Sequence, residues 1–335
     1  MITKPYTQIL SLVFLFVLLL ISMLLALSIG EVQMPLSKVF TLVFFPDSSK
    51  ESLIIHDTRM PRIIAAVVVG GALALSGALY QGVIGNVLVS PGILGVLSGA
   101  SFGAALAMVL GLSTLGIELF CFSFGLLAMG ISLLLSFIFD QNRSILMLIL
   151  GGIITSSFFG AGVSIIKILA DPYNTLPNIV YWLMGSLASL HTLPLIFASL
   201  VFILSLILVI LGSKVIDILN LDYESASVLG VCVKKMRLLF ILGATLLASS
   251  SVALAGLIGW IGLVIPHMSR FIIGANHRFS LPFCTLFGSL FLLFCDTLAR
   301  TLSNTEIPIG IMTSLFGIPL FALILFYNRK KALDA

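Results

Sequence analysis

The chain has 335 residues, of which 60% are hydrophobic and only 9% are charged, and its mean hydropathy is +1.24. This composition leaves too few polar side chains to cover a water-soluble globule of this size, so it excludes a soluble protein and indicates a polytopic membrane protein. The net charge is +4, from 17 basic and 13 acidic residues.

Apolar runs of about 18 to 24 residues recur along the whole chain, which is typical of a helical bundle and not of an outer-membrane barrel. The first run, Ile9 to Leu27, is longer than a signal-peptide core and lacks a cleavage site before a soluble domain, so we predict a spanning helix there. The glycines between Gly256 and Gly262 indicate a short or broken helix. Residues 1–335 are thus predicted to form one all-α transmembrane domain of about ten helices, at 8–29, 61–82, 92–110, 115–138, 144–168, 193–212, 236–255, 257–273, 281–299 and 307–327.

Lysine and arginine in the short loops predict the orientation. With a cytoplasmic N-terminus, eleven of the seventeen basic residues fall on the cytoplasmic side, so we expect both termini there. The same assignment places Arg59, Arg62 and Arg300 outside, against the trend. Each could simply extend to lipid headgroups, but together they suggest a surface for the acidic residues of a soluble partner, or one that steers an anionic substrate. Both alternatives stay open at this point.

The longest charged interruption lies at about 213–237, on the predicted cytoplasmic side. Residues Ser225 to Leu229, followed by Gly230, predict a brief helix with a glycine stop. A solvated loop is one interpretation of this segment. Its amphipathic length favours an element that binds a cytoplasmic subunit.

The sequence contains no GxxxxGK[ST] phosphate loop, so we do not expect this chain to hydrolyse ATP. Its four histidines and four cysteines are scattered without ligand spacing, which indicates neither a metal site nor a disulfide framework. Carboxylates lie near predicted helix ends, at Glu118, Asp171, Asp296 and Glu306. This weighs against a proton-coupled carrier, although an ion-coupled secondary transporter acting alone is the alternative function. Small residues, dense at Gly70–Gly77 and Gly256–Gly262, predict close helix packing.

Three sequence blocks resemble the permease subunits of ABC importers for iron-siderophores, haem and vitamin B12. The first is RMPRIIAAVVVGGALALSGALYQGVIGNVLVSPGILGVLSGAS, from Arg59 to Ser101. The second, GLIGWIGLVIPHMSRFIIGANHRFSLP from Gly256 to Pro282, is similar to the family's GxxGFxGLxxPHxxR block. The third combines DTLAR, Asp296 to Arg300, with EIPIGIMTSLFGIPLF, Glu306 to Phe321. Two departures are Trp260 in place of the usual phenylalanine, and GNVLVSP in place of RNPLASP.

The resemblance implies a ten-helix permease with the type II importer fold, located in the bacterial inner membrane and paired with a second copy around a central path. Two cytoplasmic subunits would bind ATP and Mg²⁺ and drive transport, while this chain itself has no cofactor and no nucleic-acid partner. A soluble periplasmic or extracellular substrate-binding protein would contact Arg59, Arg62 and Arg300, the family's docking arginines. The implied cargo is a metal chelate of the siderophore, haem or cobalamin type, or an oxyanion such as molybdate or tungstate.

The same resemblance assigns two further sets of residues. ATPase coupling falls between the sixth and seventh spans, on Asp217, Glu224, Ser225, Leu229, Gly230 and Val231. The cytoplasmic gate falls between the fourth and fifth helices, with Asn142, Arg143 and Ser144 as candidates.

Overall fold

A computed structural model describes residues 5–30, 32–139, 145–188, 190–221, 223–303 and 305–333. Within these ranges the chain is helical and contains no strand. The elements are α1 (Pro5–Ser28), α2 (Leu36–Phe44), α3 (Lys50–Leu53), a π-helical turn (Ile54–Arg59), α4 (Met60–Ile84), α5 (Val96–Val109), α6 (Thr114–Phe139), α7 (Ile145–Leu169), α8 (Thr175–Leu183), α9 (Thr192–Leu219), α10 (Tyr223–Val228), α11 (Val233–Ala255), α12 (Ile261–Ile273), α13 (His277–Ala299) and α14 (Ile309–Leu333).

Ten of these helices correspond to the ten predicted spans. Seven, namely α1, α4, α6, α7, α9, α11 and α13, are long and apolar enough to cross a membrane. The other three, α5, α12 and α14, contain shorter apolar stretches. The predicted multi-pass, all-α architecture is therefore confirmed within the described ranges.

Helix α4 forms the centre of the bundle and packs against α9, α11, α12 and α13. Its small residues permit this, because Gly70 faces the backbone of Gly288 and Gly77 faces the backbone of Gly262. Helix α1 lies at the periphery, with most of its side chains exposed on the isolated chain. The core thus centres on the helix that begins at the arginine motif.

Two shorter helices, α5 and α12, follow irregular segments that pack into the bundle. Before α5, Val89 and Leu94 are fully buried, and the carbonyl oxygen of Leu94 accepts a hydrogen bond from Ser132 Oγ at 2.9 Å. Before α12, Gly256 and Trp260 adopt positive φ angles of 70° and 69°. Irregular backbone inside a membrane bundle requires such side-chain and backbone partners. The predicted short or broken helix near Gly256 is thus an irregular turn followed by a 13-residue helix.

Three of the four cysteines lie in the core. Cys121, Cys284 and Cys295 are buried, whereas Cys232 is exposed. It lies in the connection between α10 and α11.

Candidate functional site

The three arginines singled out in the sequence converge at one end of the bundle. Arg59 ends the π-helical turn, Arg62 lies in the first turn of α4, and Arg300 directly follows α13. Two carboxylates join them: Arg62 Nε lies 2.9 Å from Asp296 Oδ1, and Arg62 Nη1 lies 2.6 Å from Glu306 Oε1. We call these five residues, Arg59, Arg62, Asp296, Arg300 and Glu306, the arginine cluster.

Asp296 is the organising residue of the arginine cluster. Its side chain is completely buried and lies between Arg62 and Arg300, whose Nε is 3.7 Å from Asp296 Oδ2. A carboxylate in such a place is stable only when cations and hydrogen bonds compensate its lost hydration. The sequence placed Asp296 near a helix end and in the DTLAR block, but gave it no role of its own. Its position four residues before Arg300 was the available signal, because that spacing places both side chains on one helix face.

Arg59 and Arg300 also bind backbone carbonyls at the end of α1 and just after it. Arg59 donates to the carbonyl oxygens of Leu27, at 2.6 Å, and Val32, and Arg300 donates to that of Ala26. The last carbonyls of a helix lack partners within it, so guanidinium groups satisfy them well. Glycine at position 30 leaves room for the Arg59 guanidinium, since a Cβ there would lie 2.7 Å from Arg59 Nη2.

The arginine cluster borders a cavity of about 590 Å³. Three guanidinium groups face two carboxylates, and burial lowers the pKa of Arg300 from its ordinary value while the Asp296 carboxylate opposes that shift. A guanidinium nevertheless stays protonated at neutral pH. The cavity therefore presents three arginines beside the carboxylates of Asp57 and Glu306. The described hydrogen bonds and ion pairs of these arginines lie within the chain. Its polar lining includes Arg59, Arg62, His191, Arg300, Ser303 and Glu306.

The predicted coupling residues lie at the opposite end of α13. Asp217, near the end of α9, accepts a hydrogen bond from the backbone N–H of His277 and lies 2.5 Å from His277 Nδ1. His277 begins α13 and Asp296 lies 19 residues later, so the two ends are separated by roughly 28 Å.

Helix α10 and the turn after it project from this second end. The backbone N–H of Leu229 donates to Ser225 O and that of Val231 to Ala226 O, and Gly230 has a φ of 77°. The expected brief helix with a glycine stop is therefore present. Two apolar side chains at its tip, Val228 and Leu229, are 87% and 58% exposed.

Several predicted residues are not described. Asn142, Arg143 and Ser144, the gate candidates, lie outside the described ranges. Glu224 lies in α10, but its side chain is not described. The structure thus brings Arg59, Arg62 and Arg300 together and separates them from the coupling segment.

Comparisons with known proteins agree with this architecture. Residues 18–327 match the FecCD transport family. The chain is 39% identical over 322 residues to the molybdate import system permease protein MolB of Haemophilus influenzae, covering 95% of each chain. It is 36% identical over 320 residues to the hemin transport system permease protein HmuU of Yersinia pestis, covering 93% of this chain and 95% of HmuU.

Two further similarities concern a third relative and a solved structure. The chain is 38% identical over 319 residues to the vitamin B12 import system permease protein BtuC of Vibrio vulnificus, covering 93% of this chain and 94% of BtuC. A structure described as an inward-facing conformation of a metal-chelate type ABC transporter superposes with a TM-score of 0.85 at 38% identity, over 95% of this chain and 99% of the other.

The helical bundle and these similarities define a multi-pass membrane transport component. The chain belongs to the FecCD transport family and is a permease of the ABC importer type. The type II permease fold expected from the sequence blocks is confirmed. The reported relatives are all named as permeases, so the ion-coupled carrier is not favoured.

Proposed function

We propose that this chain is the membrane permease of a complete importer with three kinds of partner. A second copy of the chain would complete the translocation path, two cytoplasmic subunits would bind ATP and Mg²⁺, and a soluble binding protein would deliver the cargo. The assembly would lie in the bacterial inner membrane, with the arginine cluster outside and both termini in the cytoplasm. The observation that carries this proposal is the placement of the arginine cluster and α10 at opposite ends of α13.

Acidic side chains on the binding protein would contact the arginine cluster. Carboxylates form charge-assisted, bidentate hydrogen bonds with guanidinium groups, and the adjoining cavity provides room for them. At the other end, the exposed apolar tip of α10, Val228 and Leu229, would insert into a groove of the ATPase subunit. ATP-driven movement of that subunit would shift the permease between outward-open and inward-open states.

An open apolar groove on the side of the bundle supports pairing with a second copy. It has a volume of about 590 Å³ and is lined in part by Trp260, Gly310, Ile311 and Leu315. Lipid covers apolar side chains equally well, but the irregular backbone at Gly259, which also lines this groove, requires protein around it inside a membrane, so a second subunit would cover this surface.

The proposed cargo is a metal chelate or an oxyanion. The relatives are named for molybdate, hemin and vitamin B12 at 36 to 39% identity, and these values do not separate the three. A binding assay on the partner binding protein with siderophores, haem, cobalamin, molybdate and tungstate would identify the class.

Reconstitution into liposomes tests the proposal as a whole. Cargo uptake should require the permease, the ATPase subunits, ATP and the loaded binding protein together. Uptake by the permease alone, driven by an ion gradient, would reject the importer assembly in favour of a secondary carrier.

A further inference from the structure

We propose that Glu306 forms an ion pair with Arg62 in the free permease, and that an acidic side chain of the binding protein replaces Glu306 in this pair when that protein docks. The inference rests on the proposed docking function and adds a regulatory element to it. Glu306 would be an internal substitute for the partner's carboxylate.

The two carboxylates that hold Arg62 differ in how easily they can be replaced. Asp296 is fully buried on α13 and binds the Nε edge of the guanidinium at 2.9 Å. Glu306 lies on the loop between α13 and α14. Its side chain is 39% exposed and binds Arg62 Nη1 at 2.6 Å. Solvent screens an exposed ion pair, whereas a buried carboxylate cannot leave its cations without a large desolvation cost. Glu306 is therefore the exchangeable partner.

The loop that carries Glu306 does not depend on this ion pair for its position. The backbone N–H of Ile307 donates to Ala299 O at 3.2 Å, and that of Ile309 donates to Gly185 O at 3.0 Å. Both hydrogen bonds lie just after Glu306 in the chain, and they tie the loop to the end of α13 and to Gly185. The Glu306 side chain can then rotate into solvent while the backbone stays in place.

The cavity beside Arg62 provides the entry route. Arg62 and Glu306 both line it, so a carboxylate that enters approaches the guanidinium and Glu306 at once. Two carboxylates competing for one guanidinium edge repel each other, which favours release of Glu306. The exchange replaces one ion pair with another, so the net gain is small and docking stays reversible.

Equilibrium binding tests the exchange with the permease and its ATPase subunits in nanodiscs. The probe is the cognate soluble binding protein, and biolayer interferometry gives its dissociation constant. We expect Glu306→Gln to tighten binding about fivefold, because the competing exposed ion pair is removed. Arg62→Gln should weaken binding, and Glu306→Gln should have no further effect in the Arg62→Gln background.

A matched control separates exchange from a general change of charge. Asp57 is exposed and lines the same cavity, and Asp57→Asn removes one negative charge as well. We expect it to change affinity less than about twofold at physiological salt, since exposed charges are screened. Equal tightening by Asp57→Asn and Glu306→Gln would overturn the exchange, as would tightening that persists without Arg62.

The outcomes also separate this inference from the docking proposal. If Arg62→Gln weakens binding but Glu306→Gln does not tighten it, docking stands and the exchange is wrong. If neither Arg62→Gln nor Arg300→Gln weakens binding, the docking proposal itself fails. Gel filtration of every variant confirms that a folded assembly was compared.

Discussion

Single glycines set how closely the central helices approach. A Cβ at Gly77 of α4 would collide with the carbonyl oxygen of Gly262, which is backbone and cannot rotate away. Gly130, on the exposed face of α6, has no atom within 4 Å of a Cβ placed there. Alanine substitutions at these two positions therefore separate the effect of close packing from the effect of helix propensity.

We expect Gly77→Ala to destabilise the protein by about 1–3 kcal/mol, the usual cost of overpacking. Gly130→Ala should leave stability unchanged or raise it by up to about 1 kcal/mol, because alanine favours helix. Thermal unfolding of both variants in detergent measures the difference. Equal melting temperatures would show that α4 and α12 are packed less closely than described.

The buried carboxylate of Asp296 gives a second prediction at this scale. Asp296→Asn leaves the largely buried guanidinium groups of Arg62 and Arg300 without their shared counter-ion. We expect a loss of about 3–5 kcal/mol, typical of breaking a buried ion pair from one side. Asp57→Asn, the same substitution at an exposed residue, should lower the free energy of unfolding by less than about 0.5 kcal/mol. Chemical denaturation of the detergent-solubilised protein would reveal the contrast, and similar losses for both would contradict the central role of Asp296.

At the scale of elements, the tip of α10 is exposed and apolar although it lies beside charged residues. Because burying a valine or leucine contributes about 1.5 kcal/mol or more, Val228→Ser or Leu229→Ser should weaken ATPase binding about tenfold. Cys232→Ser, at a nearby exposed position, is the control and should leave binding unchanged. Co-purification with titrated ATPase subunit measures this, and full retention by both serine variants would exclude α10 as the contact.

Most long helices were predictable because each consists of one apolar run. Helix α9 runs to Leu219. The prediction ended it at 212, because the charged residues Lys214 and Asp217 suggested a loop. The helix continues since Asp217 finds a partner in His277, 60 residues away. The short elements α2, α3 and α8 were missed, as none has the length of a spanning helix.

The arginine cluster was predictable only in part. The motifs identified Arg59, Arg62 and Arg300 as a group. The carboxylates that pair with Arg62 lie far along the chain, Asp296 at 234 residues and Glu306 at 244 residues from it. Charge pattern alone does not specify such distant partners. Burial of Asp296 beside an exposed Glu306 emerges only from the folded bundle, and it is this contrast that suggests exchange.

At the scale of the whole molecule, the arginine cluster and α10 should lie on opposite sides of the membrane. In a Cys232→Ser background the remaining cysteines are buried, so single cysteines can report the two sides. We expect a membrane-impermeant maleimide to label Thr305→Cys in intact cells. Val228→Cys should react only after permeabilisation. Both positions are exposed, and the reverse pattern would invert the proposed topology.

Helix α1 packs mainly against α13, which is made late in synthesis. Gln8 donates to Ile273 O at 2.8 Å, and Arg300 donates to Ala26 O, so both ends of α1 depend on the last fifth of the chain. During synthesis the first helix enters the membrane early but gains these contacts only after residue 300 has been translated. Until then mainly the Arg59 hydrogen bond and the contacts with α2 and α4 connect α1 to the other inserted helices, so the last fifth of the chain completes the packing of α1 after insertion.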